Sequence, residues 1–398
     1  MTNVSAVGTY LPVWATKAGR VTGPDEDVVT MAVEAGLAAL GDRSGEVRNI
    51  VLVSRDLPLI EGGNSAAVLA GLGLDAHVPV VEQLGGAPAT LDAIANAAAG
   101  TLVLAADLAP AGAGAVLVSH DGPSLTEPGR VTRSLPITSR GRDGERRDYA
   151  DPRLELQRGL HVAVDALELQ DKPVVVAGTT VKIARELCAG TPPELPVAGA
   201  SAAVFALAGL EQIGAGGLVL AVEQASAAAA RLGGVPTVVR NELAQREPAR
   251  LRDNPGPDIA ISLAAYDRAF EAKVRWEAGS CNACGTLAFP PRLRCFECGS
   301  EAGWSLTPLP RTGEVYSCVT VHVPVPGLPT PYSLAIVQLD GTEVRALVKV
   351  TGVGPGEIAI GDRGSLVLRR VAVRSGIPDY GYALLPDAVA GSAEEESR

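Results

Sequence analysis

Four of the six cysteines in this 398-residue chain form two matched pairs, Cys281-Asn-Ala-Cys284-Gly and Cys295-Phe-Glu-Cys298-Gly, ten residues apart. A CxxC turn aims two thiolates at one point, and the following glycine lets the backbone curl so that its N–H groups reach the sulfurs. Four thiolates fill a tetrahedral zinc shell and leave no open position for a substrate, so the expected metal is structural. A redox dithiol or a set of disulfides is the rival reading. It is disfavoured by two matched knuckles in a chain with no export signal at its start, which points to a reducing, cytoplasmic setting. Cys188 and Cys318 lie alone in apolar contexts and read as core residues.

The remaining candidates are weaker. His77, His120, His161 and His322 follow no motif spacing, and scattered histidines are more often structural than catalytic. Asp25-Glu-Asp27 puts carboxylates where a helix begins, which the macrodipole favours without any chemistry. Glu82 is a candidate pocket carboxylate, with a buried or capping role as its equal rival. Arg140-Gly-Arg-Asp-Gly-Glu-Arg-Arg147 concentrates positive charge, but a solvated loop outweighs an anion site there. No catalytic residue is nominated.

Composition narrows the class. The chain is 47% hydrophobic and 20% charged, and its 34 Lys plus Arg against 45 Asp plus Glu leave a formal charge of −11. An acidic balance argues against a nucleic-acid partner, which needs a basic footprint. No charge-free run of about 18 apolar residues suggests a membrane span. The length suits more than one core.

Residues 1–122 alternate strand-like runs (Val4–Leu11, Ile50–Ser54, Val78–Val81, Thr101–Ala106, Ala115–Ser119) with helical patterns. Residues 123–150 are polar and Arg-rich and read as a surface excursion. Residues 151–245 repeat the first pattern, so 1–245 forms one α/β domain of two similar halves. A Pro-rich linker occupies 246–260, a helix and the zinc knuckles 261–310, and a β domain of about five strands 311–386. An acidic, disordered tail, 387–398, closes the chain. Five short strands fit an OB-type barrel. Its nucleic-acid reading is weak, because Cys281 to Pro386 carries nine Lys plus Arg against eight Asp plus Glu.

The segment from Tyr266 to about Pro386 resembles the acyl-CoA-associated OB-fold family with an N-terminal zinc ribbon, domain of unknown function 35. The resemblance rests on the leading helix, both knuckles, Phe289-Pro-Pro-Arg292 and Gly313-Glu-Val-Tyr-Ser317. Residues 1–245 resemble the thiolase fold in its hydroxymethylglutaryl-CoA synthase-like branch. That likeness is carried by Gly8-Thr-Tyr-Leu-Pro12, Asp25 to Ala35, Ala198-Gly-Ala-Ser-Ala202 and the duplication. It implies a duplicated, layered αβαβα fold followed by a zinc ribbon and a small β-barrel.

The resemblance also implies a nucleophilic Cys at the start of a buried helix, where Val81 to Thr90 has Gly86 or Ala87 instead. The family's His falls on Ala177-Gly-Thr-Thr180, and its later His or Asn on Pro196-Val-Ala-Gly199. An accessory or scaffold subunit of an acyl-CoA-processing complex is therefore expected, with CoA or acyl-CoA as a possible ligand and a thiolase- or ketosynthase-type partner. The resemblance implies at least a dimer, pairing near Gly85 and Gly86. The alternatives are a Cys-independent acyl-CoA enzyme (acyltransferase or retro-aldolase) and a nucleic-acid-binding OB module.

Overall fold

The computed structural model describes residues 2–140, 145–149, 151–257, 260, 262–323 and 328–390. These fall into two compact units. The first comprises Met1–Leu11, Glu34–Leu57 and His77–Asn241, and the second Pro12–Val33, Pro58–Ala76 and Glu242–Arg398. The unit that holds the zinc knuckles thus recruits two N-terminal segments, which a division along the chain at 245 does not anticipate.

The first half runs β1 (Thr2–Leu11), α1 (Val28–Leu40), β2 (Asn49–Ser54), α2 (Ser65–Leu72), β3 (Val80–Leu84), α3 (Ala87–Ala95), β4 (Thr101–Leu108) and β5 (Ala111–Ser119). The second half opens with β6 (Ser124–Thr132). After a helical run over Pro152–Leu154, Glu155–Leu160 and His161–Asp165 come β7 (Val175–Ala177), α4 (Val181–Leu187), α5 (Ala202–Ile213), β8 (Gly217–Glu223), β9 (Ser226–Leu232) and β10 (Thr237–Glu242).

The strands form one sheet in the order β7-β8-β9-β6-β1-β5-β4-β2-β3, with β10 also paired to β1. Numbered within its half, the first set is ordered 3-2-4-5-1. The second set is ordered 2-4-5-1, with the same parallel and antiparallel senses and no third strand among the described residues. This shared order carries the duplication more firmly than the residue types do.

Helices α3 and α5 lie in a single core with the inward residues of both halves: Val4, Val53, Val103 and Val116 from the first, Val175, Val219 and Ala228 from the second. On the far face of the second half, Leu160, Ala163 and Ala184 pack on Leu218, Leu220 and Val222. On the far face of the first, α1 crosses β1 so closely that a Cβ on Gly8 would meet the Ala35 carbonyl at 2.3 Å. The layers therefore run αβαβα.

The surface excursion expected over 123–150 is corrected by this topology. Ser124–Thr132 is the strand that joins the halves, pairing with β9 along its length and with β1 at Thr2 and Asn3. Its polar alternation is that of a strand with one solvated face, a pattern easily mistaken for a loop. Thr138–Arg140 and Arg146–Asp148 form a small hairpin, while residues 141–144 and 150 lie outside the described set. β9 and β10 are not legible in the sequence either, since an Ala-rich strand such as Ser226–Leu232 carries no β-branched signature.

In the second unit, α6 (Leu263–Phe270) is capped by the Ser262 hydroxyl and continues as a wider turn over Glu271–Arg275. Next come the ribbon strands β11 (Glu277–Cys281), β12 (Leu287–Ala288) and β13 (Trp304–Pro308), in the order β12-β11-β13. The barrel strands are β14 (Thr312–Val321), β15 (Tyr332–Leu339), β16 (Arg345–Val350), β17 (Arg363–Arg374) and β18 (Ile377–Pro386), closed in the order β14-β15-β16-β18-β17.

The linker is pinned rather than free. Arg246 exchanges backbone bonds with Val13 and Ala15, and Arg252 does so with Thr330; residues 258, 259 and 261 lie outside the described set. The expected tail starts too early at 387, because Asp387–Ala390 is a helix whose Val389 is buried against the barrel; 391–398 lie outside the described residues.

Candidate functional sites

The knuckles come together as their spacing implies. All four Sγ atoms lie within 4.8 Å of one another, with Cys281 to Cys298 at 3.8 Å and Cys284 to Cys295 at 3.7 Å. A tetrahedral zinc with bonds of about 2.3 Å places its sulfurs about 3.8 Å apart, so the set fits the ion. Each knuckle closes the same way: Gly285 N donates to the Cys281 carbonyl and Gly299 N to that of Cys295, both glycines holding positive φ (76° and 71°). Cys281 and Cys295 are buried, while Cys284 and Cys298 face outward. The Thr286 hydroxyl and amide hold the Cys284 thiol down to about 6. Zinc would be held by all four sulfurs, with strand β11 anchored between β12 and β13 behind them.

The second site is the mouth of α3. Gly86 is its N-cap and supplies no side chain to the helix amides. A Cβ on Gly86, one of the two residues (with Ala87) where the resemblance puts a nucleophile, would meet the ends of two charged side chains, Glu223 Oε2 at 2.3 Å and an Arg55 terminal nitrogen at 2.6 Å. Arg55 and Glu223 form an ion pair at 2.9 Å with side chains 34% and 21% exposed, leaving them reachable from solvent. A Cβ on Gly178, within the Ala177–Thr180 stretch where the resemblance puts the His, would lie 3.2 Å from that of Ala87. The fold thus brings together two of the stretches the sequence singles out, around Gly86–Ala87 and Gly178.

The third such stretch, Pro196–Gly199, leads into α5. There Asp107, at the end of β4, accepts from Ala200 N (2.7 Å), Ser201 N (2.8 Å) and the Ser201 hydroxyl (2.6 Å). Burial pushes the Asp107 carboxyl up, while these donors and the Arg55 charge pull it down. An open cleft of about 410 Å³ reaches the α3 mouth, with Arg55, Arg133, Arg146, Glu223 and Gln224 in its walls.

Glu82 lies on β3 opposite Leu52 of β2 and is not among the residues lining that cleft. The carboxylate at the mouth is Glu223, which no sequence spacing marks. His161 begins a helix segment, and His77, His120 and His322 stand outside this cluster. Asp27 does cap α1: its Oδ1 accepts from Val29 N and Thr30 N, the Thr30 hydroxyl accepts from Asp27 N, and the Tyr380 hydroxyl donates to Oδ2 at 3.0 Å. No helix among the described residues is long and apolar enough to cross a membrane.

A four-cysteine ribbon leading into a closed five-stranded barrel defines the second unit as a zinc-ribbon OB module. Family models agree: "ChsH2, rubredoxin-like zinc ribbon domain" matches residues 272–302 and "ChsH2, C-terminal OB-fold domain" residues 306–369. A DUF35 domain-containing scaffold protein of Methanocaldococcus jannaschii is 30% identical over 110 residues, 27% of this chain and 77% of that one, and the chain belongs to this DUF35 family.

The benzoylsuccinyl-CoA thiolase subunit BbsA of Thauera aromatica is 31% identical over 26% of this chain and 69% of its own. A probable enoyl-CoA hydratase alpha subunit of Thermomonospora curvata is 35% identical over 31% of this chain, which spans only 37% of that relative's length. Among solved structures, the Ltp2-ChsH2(DUF35) aldolase is similar over 33% of this chain and 99% of that chain (28% identity, TM-score 0.27). The 3-oxoacyl-(acyl-carrier-protein) synthase III of Aquifex aeolicus is similar over 58% and 100% (16% identity, TM-score 0.47).

Proposed function

We propose that this chain is an accessory subunit of an acyl-CoA-processing complex, in which a thiolase- or ketosynthase-type partner supplies the nucleophile. The observation that carries the reading is the α3 mouth: Gly86 offers no thiol, and its side-chain space is taken by Glu223 and Arg55. Neither Gly86 nor Ala87 carries a group that could form a thioester there. The zinc-ribbon OB module supports the same reading, because a relative of that module is named as a thiolase subunit. CoA or an acyl-CoA is the ligand class this assigns to the complex. The unpaired edge strand β3, with Val81 and Leu84 exposed, is the surface we assign to a second thiolase-fold chain, homomeric or heteromeric.

To test this, the chain is purified alone and with a candidate partner, then assayed for condensation and thiolysis. Activity should need the partner, and light scattering should show an oligomer. A covalently trapped acyl group on the isolated chain, together with strong condensation, would sink the proposal. It would favour the second reading, an enzyme in its own right, for which the specific observation is the open cleft at the mouth of α3.

A further inference from the structure

A cavity of about 110 Å³ in the second unit shares no residue with the zinc knuckles. Its walls come from the N-terminal segment that carries Trp14 and Asp25, from the linker through Leu251, and from the chain around the start of β15 and the end of β16. The linker wall is held on both sides, since Arg246 bonds to Val13 and Ala15 and Arg252 to Thr330. Leu251, Val350 and Val353 make one side apolar. Three polar groups in the walls have no hydrogen-bond partner among the described residues. Trp14 and Thr351 are each only 7% exposed, yet neither the indole N–H nor the hydroxyl is bonded to any of them. The Asp25 carboxylate accepts no hydrogen bond from them either; Lys349 feels its charge but donates to the Val371 carbonyl at 2.8 Å. Trp14 Nε1 and Asp25 Oδ1 lie 3.0 and 3.1 Å from the point that a Cβ on Gly23 would take, so a donor and an acceptor flank one gap. Glu26 Oε2, also 3.1 Å from that point, is already engaged by Gly23 N. Buried polar groups without partners are rare in folded chains and mark the place of a ligand or a water.

We infer that this cavity is a binding site for a small neutral aliphatic amide. A carbonyl oxygen has two lone pairs, which match the two donors, and an amide N–H matches the carboxylate. A cavity of about 150 Å³ takes a benzene ring, so this one suits roughly five heavy atoms, an amide head and a short tail against Leu251, Val350 and Val353. Other chemistries fit less well. A carboxylate or phosphate meets Asp25 and finds no lysine or arginine in the walls, and an ammonium leaves the Trp14 N–H without an acceptor. The phosphates of a CoA therefore have no partner here. The inference goes beyond the accessory reading and does not depend on it, since no nucleophile or partner chain enters the argument.

The test titrates three probes of similar size, propionamide, propionate and propylammonium, into the full zinc-loaded chain carrying isotope-labelled tryptophan. The three indole N–H signals belong to Trp14, Trp276 and Trp304, and Trp14→Phe identifies the first. Propionamide should shift the Trp14 signal downfield, saturably, with a dissociation constant on the order of 10 mM, and leave the other two in place. Propionate and propylammonium should bind about tenfold more weakly. Thr351→Val and Asp25→Ala each remove one partner and should weaken propionamide by about three- to tenfold; Asp25→Ala should also bring propionate closer to the amide. If Asp25→Ala does not fold, the ranking of the three probes on the parent and the Thr351→Val response decide the matter. Equal affinities for the three probes would reduce the cavity to an unselective apolar hole. A Trp14 signal unmoved by propionamide well above that concentration would leave the cavity to water. Either result overturns the inference, and neither bears on whether a partner is needed for condensation.

Discussion

The zinc ribbon and the α3 mouth both gather charged groups at one point, and they balance those charges by opposite means. In the ribbon, four like groups within 4.8 Å would repel as thiolates and are reconciled by a cation from outside. At the α3 mouth the charges come from the chain itself, Glu223 from one half pairing at 2.9 Å with Arg55 from the other beside Gly86. The first solution is local, since two knuckles ten residues apart suffice. The second needs the duplicated fold, because residues 86 and 223 meet only when both halves are assembled. A site of the first kind can be removed by a chelator, whereas one of the second kind yields only to substitution.

The largest effect should therefore come from the metal. The purified chain is expected to carry one zinc, with Cys284→Ser or a strong chelator abolishing it. Structural zinc contributes on the order of 10 kcal/mol to such modules, so the ribbon should open and Trp304, paired with Cys281 across β11 and β13, should change its emission. A metal-free chain with an unaltered tryptophan spectrum and unaltered protease resistance would break the comparison.

Next in size is Asp107→Ala, which strands two backbone amides and the Ser201 hydroxyl in the core and should cost about 3 kcal/mol in denaturant unfolding. A loss below about 1 kcal/mol would mean that the α5 end finds other partners. The pH response sharpens the point. Burial raises the Asp107 pKa, so the folded state favours its neutral form. The stability this adds is whole below the unfolded value of about 3.9 and is lost as pH rises through the raised folded value. Asp107→Asn, which cannot ionise, should flatten that slope, and an unchanged profile would assign the slope to other groups.

What the sequence made legible follows the same divide. The knuckles, the Asp27 cap and the barrel strands are readable because each is specified within a few residues: a CxxC turn, an Asp three residues before Thr30, alternating buried apolar positions such as Ala335, Val337 and Leu339. Ser124–Thr132 reads as a loop because a strand with one wet face resembles one in composition. Asp107 and Glu223 were not readable, for each sits in an ordinary strand end, and its partner lies 93 residues away in one case and 137 in the other. Only the duplication could have pointed to them, as matched acids ending matched strands, and the weak identity between the halves hid that match.

The smallest effect tests whether carboxylates at helix ends act alike wherever they occur. Asp27 serves α1 as Asp107 serves α5, but its bonds to Val29 and Thr30 are local, and Tyr380 adds one long-range donor. Burial and the Asp27 charge push the Tyr380 hydroxyl well above its ordinary range, so it stays protonated and donating at any pH the fold survives. Tyr380→Phe removes one bond to a charged acceptor and should cost about 1.5 kcal/mol. Asp27→Ala should cost somewhat more, about 2 kcal/mol, since it removes the cap and strands the phenol. Combining the two should give less than their sum, because the shared bond can be lost only once. Strict additivity in urea unfolding would show that Tyr380 matters for its packing alone and that the Asp27 cap is complete without it.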